Sequence, residues 1–172
     1  MGRDAHPPRQ AQVFVALGSN LDDPVAQVRS AFQDLDAIPA SRCVRRSSLY
    51  RSVPMGPAGQ PDYINAVAAL ETGLAPEELL DHLQAIERRH GRVRGAERWG
   101  PRTLDLDLLL YDDRVMQTER LTIPHPGLHL RAFVLYPLHE IAPGLRIPQR
   151  GSLDELIRQC PMEGLVRLGE ES

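Results

Sequence analysis

The chain has 172 residues, a formal net charge of -3, and ordinary shares of hydrophobic (42%) and charged (25%) residues. That length suits one domain with a substantial core, and the acidic balance removes any global pull toward nucleic acid or an anionic membrane. An anion site must therefore come from a local cluster of arginines. Cys43 and Cys160 lie far apart and outside any CxxC spacing, no apolar run is long enough to span a membrane, and the polar opening MGRDAHPPRQ lacks the apolar core of a signal peptide. The expectation is a cytoplasmic protein with two reduced thiols, residues 1–11 being a flexible tail and 12–172 one domain.

Val13 to Leu17 reads as a first strand leaving into a tight turn at Gly18-Ser19-Asn20. Asp22 and Asp23 before Pro24 start a helix, Val25, Val28, Phe32 and Leu35 recur at helical spacing, and Ile38-Pro39 closes it. Cys43 to Arg51 reads as a second strand, and the Pro- and Gly-rich stretch 52–62 as irregular. Tyr63 to Thr72 resumes a strand pattern. Pro76 with Glu77 and Glu78 opens a second helix with a core stripe of Leu79, Leu83 and Ile86, ended by Gly91. Residues 92–102 are irregular again, and Thr103 to Tyr111 is a strong strand. Beyond a turn at Asp112-Asp113, Leu121 to Ile123 reads as extended, and Leu128 to Leu138 and Leu153 to Cys160 read as helices. The order strand, helix, strand, strand, helix, strand predicts an α+β fold: a ferredoxin-like sandwich, mainly antiparallel, with helices packed on one face.

Asp105 and Asp107 stand two apart on the last strong strand, so both carboxylates point one way while Leu104, Leu106 and Leu108 point into the core. Paired carboxylates repel unless a cation lies between them, and a hard ion such as Mg²⁺ accepts their oxygens and keeps its other places for water and phosphate. For a bare Asp-X-Asp, a solvated polar strand face fits equally well. Arg92, Arg94, Arg98 and Arg102 crowd the loop just upstream. Metal plus arginine is what phosphoryl transfer needs, although a solvated basic loop is the simpler reading of the arginines alone. Tyr63 and Asn65 share a strand face, where an aromatic ring can stack on a heterocycle and an amide can read its edge. Core packing beside a surface loop explains those two as well. His125 sits between Pro124 and Pro126, held in a stiff extended segment, as a phosphate donor or a plain surface histidine. There is no Walker-type phosphate loop and no zinc-like cluster.

Several ordered segments together resemble one family. The run from Gly100 through Arg102, Asp105 and Asp107 to Leu110, with Ala16 to Leu21, Gln60 to Asn65, and Arg92-Val93-Arg94, is similar to the 6-hydroxymethyl-7,8-dihydropterin pyrophosphokinases of folate synthesis. The resemblance runs from about Val13 to about Pro143. It implies a ferredoxin-like fold and transfer of the β,γ-diphosphate of ATP to the pterin hydroxymethyl group, releasing AMP. It also implies that Asp105 and Asp107 hold two Mg²⁺ ions, that Arg92 and Arg102 act in catalysis, and that Arg94 contacts phosphate. Trp99 would close over both substrates. Tyr63 and Phe133 would sandwich the pterin, Asn65 would read its edge, and Ser52, Val53 and Met55 would border it. Gln84, Glu87, Leu108, Arg120, Thr122, His125 and Arg131 would serve the nucleotide. The partners implied are ATP and a reduced pterin, with no nucleic acid and no membrane, for a monomeric enzyme. Two positions depart from the pattern: Pro126, where a tyrosine is expected, and Gly95, where some members carry lysine.

Overall fold

The computed structural model describes residues 10–53, 61–91, 103–162 and 164–169. The chain runs β1 (Ala11–Ser19), α1 (Pro24–Asp36), β2 (Ser41–Arg46), β3 (Tyr50–Ser52), β4 (Tyr63–Thr72), α2 (Pro76–Arg89) and β5 (Asp105–Tyr111). There follow β6 (Met116–Gln117), β7 (Thr122–Ile123), a 3₁₀ turn (Leu128–Leu130), α3 (Ala132–Ile141), β8 (Arg146–Ile147), β9 (Gly151–Ser152), α4 (Leu153–Arg158) and β10 (Leu165–Arg167). The main sheet is antiparallel in the order β10-β3-β4-β1-β5, with β2 pairing the far half of β4. Taking β2 and β3 as one broken strand, this is the split βαβ arrangement expected, with β1 and β4 at the centre.

Local chemistry accounts for the helix starts. The Asp23 carboxylate accepts the Ala26 N–H at 3.4 Å with Pro24 at the first helical position, and Glu78 Oε1 accepts the Ala75 N–H at 3.1 Å at the start of α2. The second strand divides at residues 47–49. Ser47 satisfies Val67 on both sides, its N–H donating to the Val67 carbonyl and its hydroxyl accepting the Val67 N–H, each at 2.9 Å. The next N–H, that of Ser48, turns away to the Glu140 carboxylate at 3.1 Å. The helix expected over 128–138 is likewise divided, because Arg131 is extended (φ -116°, ψ 110°) between the 3₁₀ turn and α3.

Helices cover both faces of the sheet, which corrects the expectation of one covered face. Val28, Phe32 and Leu35 of α1 and Leu79, Leu83 and Ile86 of α2 pack on the first face, against Val13, Val15, Leu17, Ala66, Ala68, Leu70, Leu106 and Leu108. Val134, Leu135 and Leu138 of α3 and Leu153 and Leu156 of α4 pack on the second, against Phe14, Val67, Ala69, Leu109 and Leu110. The cause lies in β4, whose seven residues from Ile64 to Leu70 are all buried, apolar on both faces apart from Asn65. Such a strand needs cover on both sides. A bulge between Leu108 and Leu110, where β1 continues from Val15 to Phe14, reverses the facing of β5, so Leu109 and Leu110 both join the second cluster.

Candidate active site

The second-face layer stops short of one end of the strands. On that face β1 presents Phe14, Ala16 and Gly18 in turn, a series of shrinking side chains. Gly18, expected in a turn, lies inside β1, paired with Asn65 on one side and Asp105 on the other. A row therefore runs Asp105, Gly18, Asn65, Tyr50 across four strands, with Asp107, Ala16, Val67 beside it. Strands stand about 4.8 Å apart, which puts Asp105 and Asn65 about 10 Å apart across the bare floor of Gly18. Above this floor is a cavity of about 280 Å³ lined by Ala16, Leu17, Gly18, Ser52, Val53, Tyr63, Asn65, Asp105, Asp107, Arg131 and Phe133.

The walls of the cavity are fixed. Asn65 is buried and donates from Nδ2 to Ser52 Oγ at 2.7 Å, which sets the orientation of its amide. Its Oδ1 then lies over Gly18, where a Cβ would approach it to 3.2 Å. Tyr63 and Phe133 are half-buried, and the Arg131 guanidinium lies 5.8 Å from the Phe133 ring centre. Val53 stands on the rim, 64% exposed. Asp105 and Asp107 are half-buried on one wall, and behind them Glu87 of α2 is buried with Oε2 accepting the N–H of Leu106 at 2.8 Å. That contact fixes the backbone between the two carboxylates.

His125 lies close enough to Asp107 and Arg131 to feel both charges. Burial pushes its proton affinity down, Asp107 draws it up and Arg131 lowers it again, the net direction being down. Its N–H donates to the Leu109 carbonyl at 3.0 Å, and its Nδ1 accepts the Gly127 N–H at 3.1 Å, so the neutral ring carries its proton on Nε2. Arg120 lies along α2, 2.6 Å from Asp81 Oδ1, 3.4 Å from Gln84 Oε1 and 3.8 Å from Glu77 Oε1.

Of the residues expected at the site, Asp105, Asp107, Ser52, Val53, Tyr63, Asn65, Arg131 and Phe133 share the cavity. Gln84, Glu87, Leu108, Arg120, Thr122 and His125 do not line it. Leu108 turns its side chain into the first-face core. Met55, Arg92, Arg94, Trp99 and Arg102 lie outside the described residues. Ala16 and Gly18 were not anticipated as cavity residues, although small side chains at a period of two on one strand were the available signal.

Two half-buried carboxylates lining an aromatic-walled cavity together with a guanidinium can hold a divalent ion against phosphate beside a flat ring. The model of the family 7,8-dihydro-6-hydroxymethylpterin-pyrophosphokinase matches residues 14–143. A 2-amino-4-hydroxy-6-hydroxymethyldihydropteridine pyrophosphokinase of Pseudomonas aeruginosa is 53% identical over 157 residues, covering 91% of this chain and 96% of that protein. One of the same name from Haemophilus influenzae is 49% identical, covering 90% and 96%. Among solved structures, Plasmodium falciparum HPPK-DHPS with pteroate superposes at a TM-score of 0.71 and 12% identity, over 90% of this chain and 43% of that longer one, a likeness of fold. With the family model spanning 14–143 and near-full-length relatives at about half identity, this chain belongs to the 7,8-dihydro-6-hydroxymethylpterin-pyrophosphokinase family.

Proposed function

We propose that this chain transfers the β,γ-diphosphate of ATP to the hydroxymethyl group of 6-hydroxymethyl-7,8-dihydropterin, giving AMP and the pterin diphosphate in folate biosynthesis. The observation that carries the reading is the sharing of one cavity by Asp105 and Asp107 with Tyr63, Asn65 and Phe133. A flat heterocycle between the two rings would place its substituent toward the carboxylate wall. Asn65, locked by Ser52, would read the ring edge, and Gly18 would leave room for the ring beneath.

The carboxylate pair suits a hard divalent ion. Both groups are half-buried on one strand face, anchored by Glu87 through Leu106, and supply only oxygen donors. Asp105 and Asp107 would hold two Mg²⁺ ions, which when bound neutralise charge on the ATP phosphates. Arg131 at the cavity, with Arg92, Arg94 and Arg102 from the residues preceding β5 in sequence, would spread the charge that grows as the AMP oxygen departs. His125 would donate from Nε2 to a phosphate oxygen. Gln84, Glu87, Leu108, Arg120 and Thr122 belong to the nucleotide side, with Glu87 acting through the backbone of β5. Trp99 would close over both substrates, and Ser52, Val53 and Met55 would border the pterin. The pterin hydroxyl attacks the β-phosphorus in line with the AMP oxygen. Among the described cavity residues none is an obvious general base, the Asp105 and Asp107 carboxylates being given to the ions, so the proton leaves to water and positioning and charge stabilisation supply most of the rate. Among the described residues no helix is long and apolar enough to cross a membrane, and the protein is read as a cytoplasmic monomer.

The test is direct. Protein, ATP, Mg²⁺ and hydroxymethyl-dihydropterin should yield AMP, and AMP formed equally without the pterin would sink the proposal. Asp107→Ala should abolish turnover while circular dichroism and melting stay near wild type. Normal AMP release from that variant would remove the metal assignment.

A further inference from the structure

Where β2 breaks from β3, a second cavity of about 450 Å³ opens, sharing no lining residue with the first. Three guanidinium groups face it: Arg29 from α1, Arg46 from β2 and Arg167 from β10. A single carboxylate, Glu140, lines it with them. That carboxylate is already engaged. It accepts the Ser48 N–H at 3.1 Å, the Ser48 hydroxyl at 2.8 Å, the Tyr50 hydroxyl at 2.9 Å and Arg167 Nη2 at 3.3 Å. Arg167 is further held by its Nε on Ser48 Oγ at 3.2 Å, and Arg46 by the Phe32 ring, 5.0 Å from its centre. Among the described residues, neither Arg29 nor Arg46 has a carboxylate partner. The lining thus carries three positive charges against one negative, two of them, Arg46 and Arg167, held in place, and among the described residues Arg29 and Arg46 have no anion to meet.

We propose that this cavity is a second anion site, which takes a phosphate group apart from the nucleotide. A phosphate dianion matches the surplus of two positive charges, and its tetrahedral oxygens suit guanidinium forks arriving from three different elements. Phe32 holds the Arg46 guanidinium in a fixed plane, and the Glu140 network does the same for Arg167, so ordering the ligand costs little side-chain entropy. The group is either free inorganic phosphate or the phosphate of a small monoester. The site does not depend on the reading of Asp105 and Asp107.

The ¹⁵N-labelled protein is titrated with inorganic phosphate and, separately, with glycerol 3-phosphate, each against sodium chloride at equal ionic strength. The expected result is saturable movement of the Ser48 and Leu168 amide signals with at least one of the two. Saturation by inorganic phosphate identifies the free ion, and saturation by the ester alone identifies the monoester. Arg29→Gln and Arg46→Gln, made singly, should each weaken binding about tenfold, the loss expected for one charge-assisted contact. Both variants should keep wild-type melting and wild-type turnover in phosphate-free buffer, since neither arginine touches the first cavity. The proposal fails if chloride moves the same signals equally, if both variants bind as tightly as wild type, or if movement is confined to residues around Asp105 and Asp107.

Discussion

A methyl group at residue 18 would lie 3.2 Å from Asn65 Oδ1 and 4.0 Å from the Tyr63 ring, on the floor where the pterin is proposed to rest. Gly18→Ala should therefore raise the pterin KM by roughly three- to tenfold, about 0.7–1.4 kcal/mol of binding, with melting little changed. An unchanged KM in steady-state assays would place the pterin elsewhere. His125 offers a second test at this scale. Its proton affinity is lowered from the ordinary 6.5, chiefly by burial. In metal-free protein its ring signals should titrate below 6.5 by NMR, and a midpoint at or above 6.5 would contradict the burial argument. The sign for stability follows. The unfolded chain takes up this proton first, so the stabilisation is whole above 6.5 and is lost as pH falls below it. Asp105, Asp107, Tyr63 and Asn65 were legible in the sequence because a strand's period of two puts such pairs on one side. Gly18 was not, because a glycine before Ser-Asn reads as a turn until its neighbours on β4 and β5 are known. The charges around His125 were hidden for the same reason, since Asp107 reaches it only through the fold.

At the scale of elements, Glu140 joins α3 to the break between β2 and β3 and to β10. Glu140→Ala would leave the Ser48 N–H, the Tyr50 hydroxyl and Arg167 without their common acceptor, and should destabilise the fold by about 2–4 kcal/mol, read from urea denaturation. A loss under half a kcal/mol would mean the network contributes nothing net. Burial, helped by Glu140, pushes the Tyr50 phenol well above its ordinary value. In Glu140→Gln its ionisation should move back down on ultraviolet titration. The strand break itself was not legible. Residues 43–51 carry one continuous pattern, and the acceptor that pulls Ser48 out of line lies 92 residues away. Strands such as β8 and β9, two residues each, are too short to show any period. β4 and α2, both long, were read almost to the residue.

At the scale of the whole molecule, cover on both faces leaves the sheet edges as the open strand surface among the described residues. Beyond β5, the His125 N–H occupies the Leu109 carbonyl, and β10 at the other edge is three residues long. The remaining edge, β2, is six residues long and among the described residues pairs only with β4, but it carries Arg42, Arg45 and Arg46. Short, occupied or charged edges give another strand little to pair with, so the protein should sediment as a monomer at micromolar concentration. A concentration-dependent dimer would show that one of these edges is in use. The split βαβ order was visible in the sequence, but the second helical layer was expected nowhere. Its need is written in β4 as an apolar run without alternation, which a strand buried on one face can mimic when it is rich in alanine. That late layer has a consequence during synthesis. The main sheet apart from β10, and the first pair of helices, are complete once Tyr111 has emerged, while Phe14, Val67, Ala69, Leu109 and Leu110 still await α3 and α4. At roughly 5–20 residues per second, the ribosome needs on the order of seconds to supply them. For that interval the nascent chain presents a wet apolar sheet, a surface suited to a holding chaperone and open to misassociation with its neighbours on the same message.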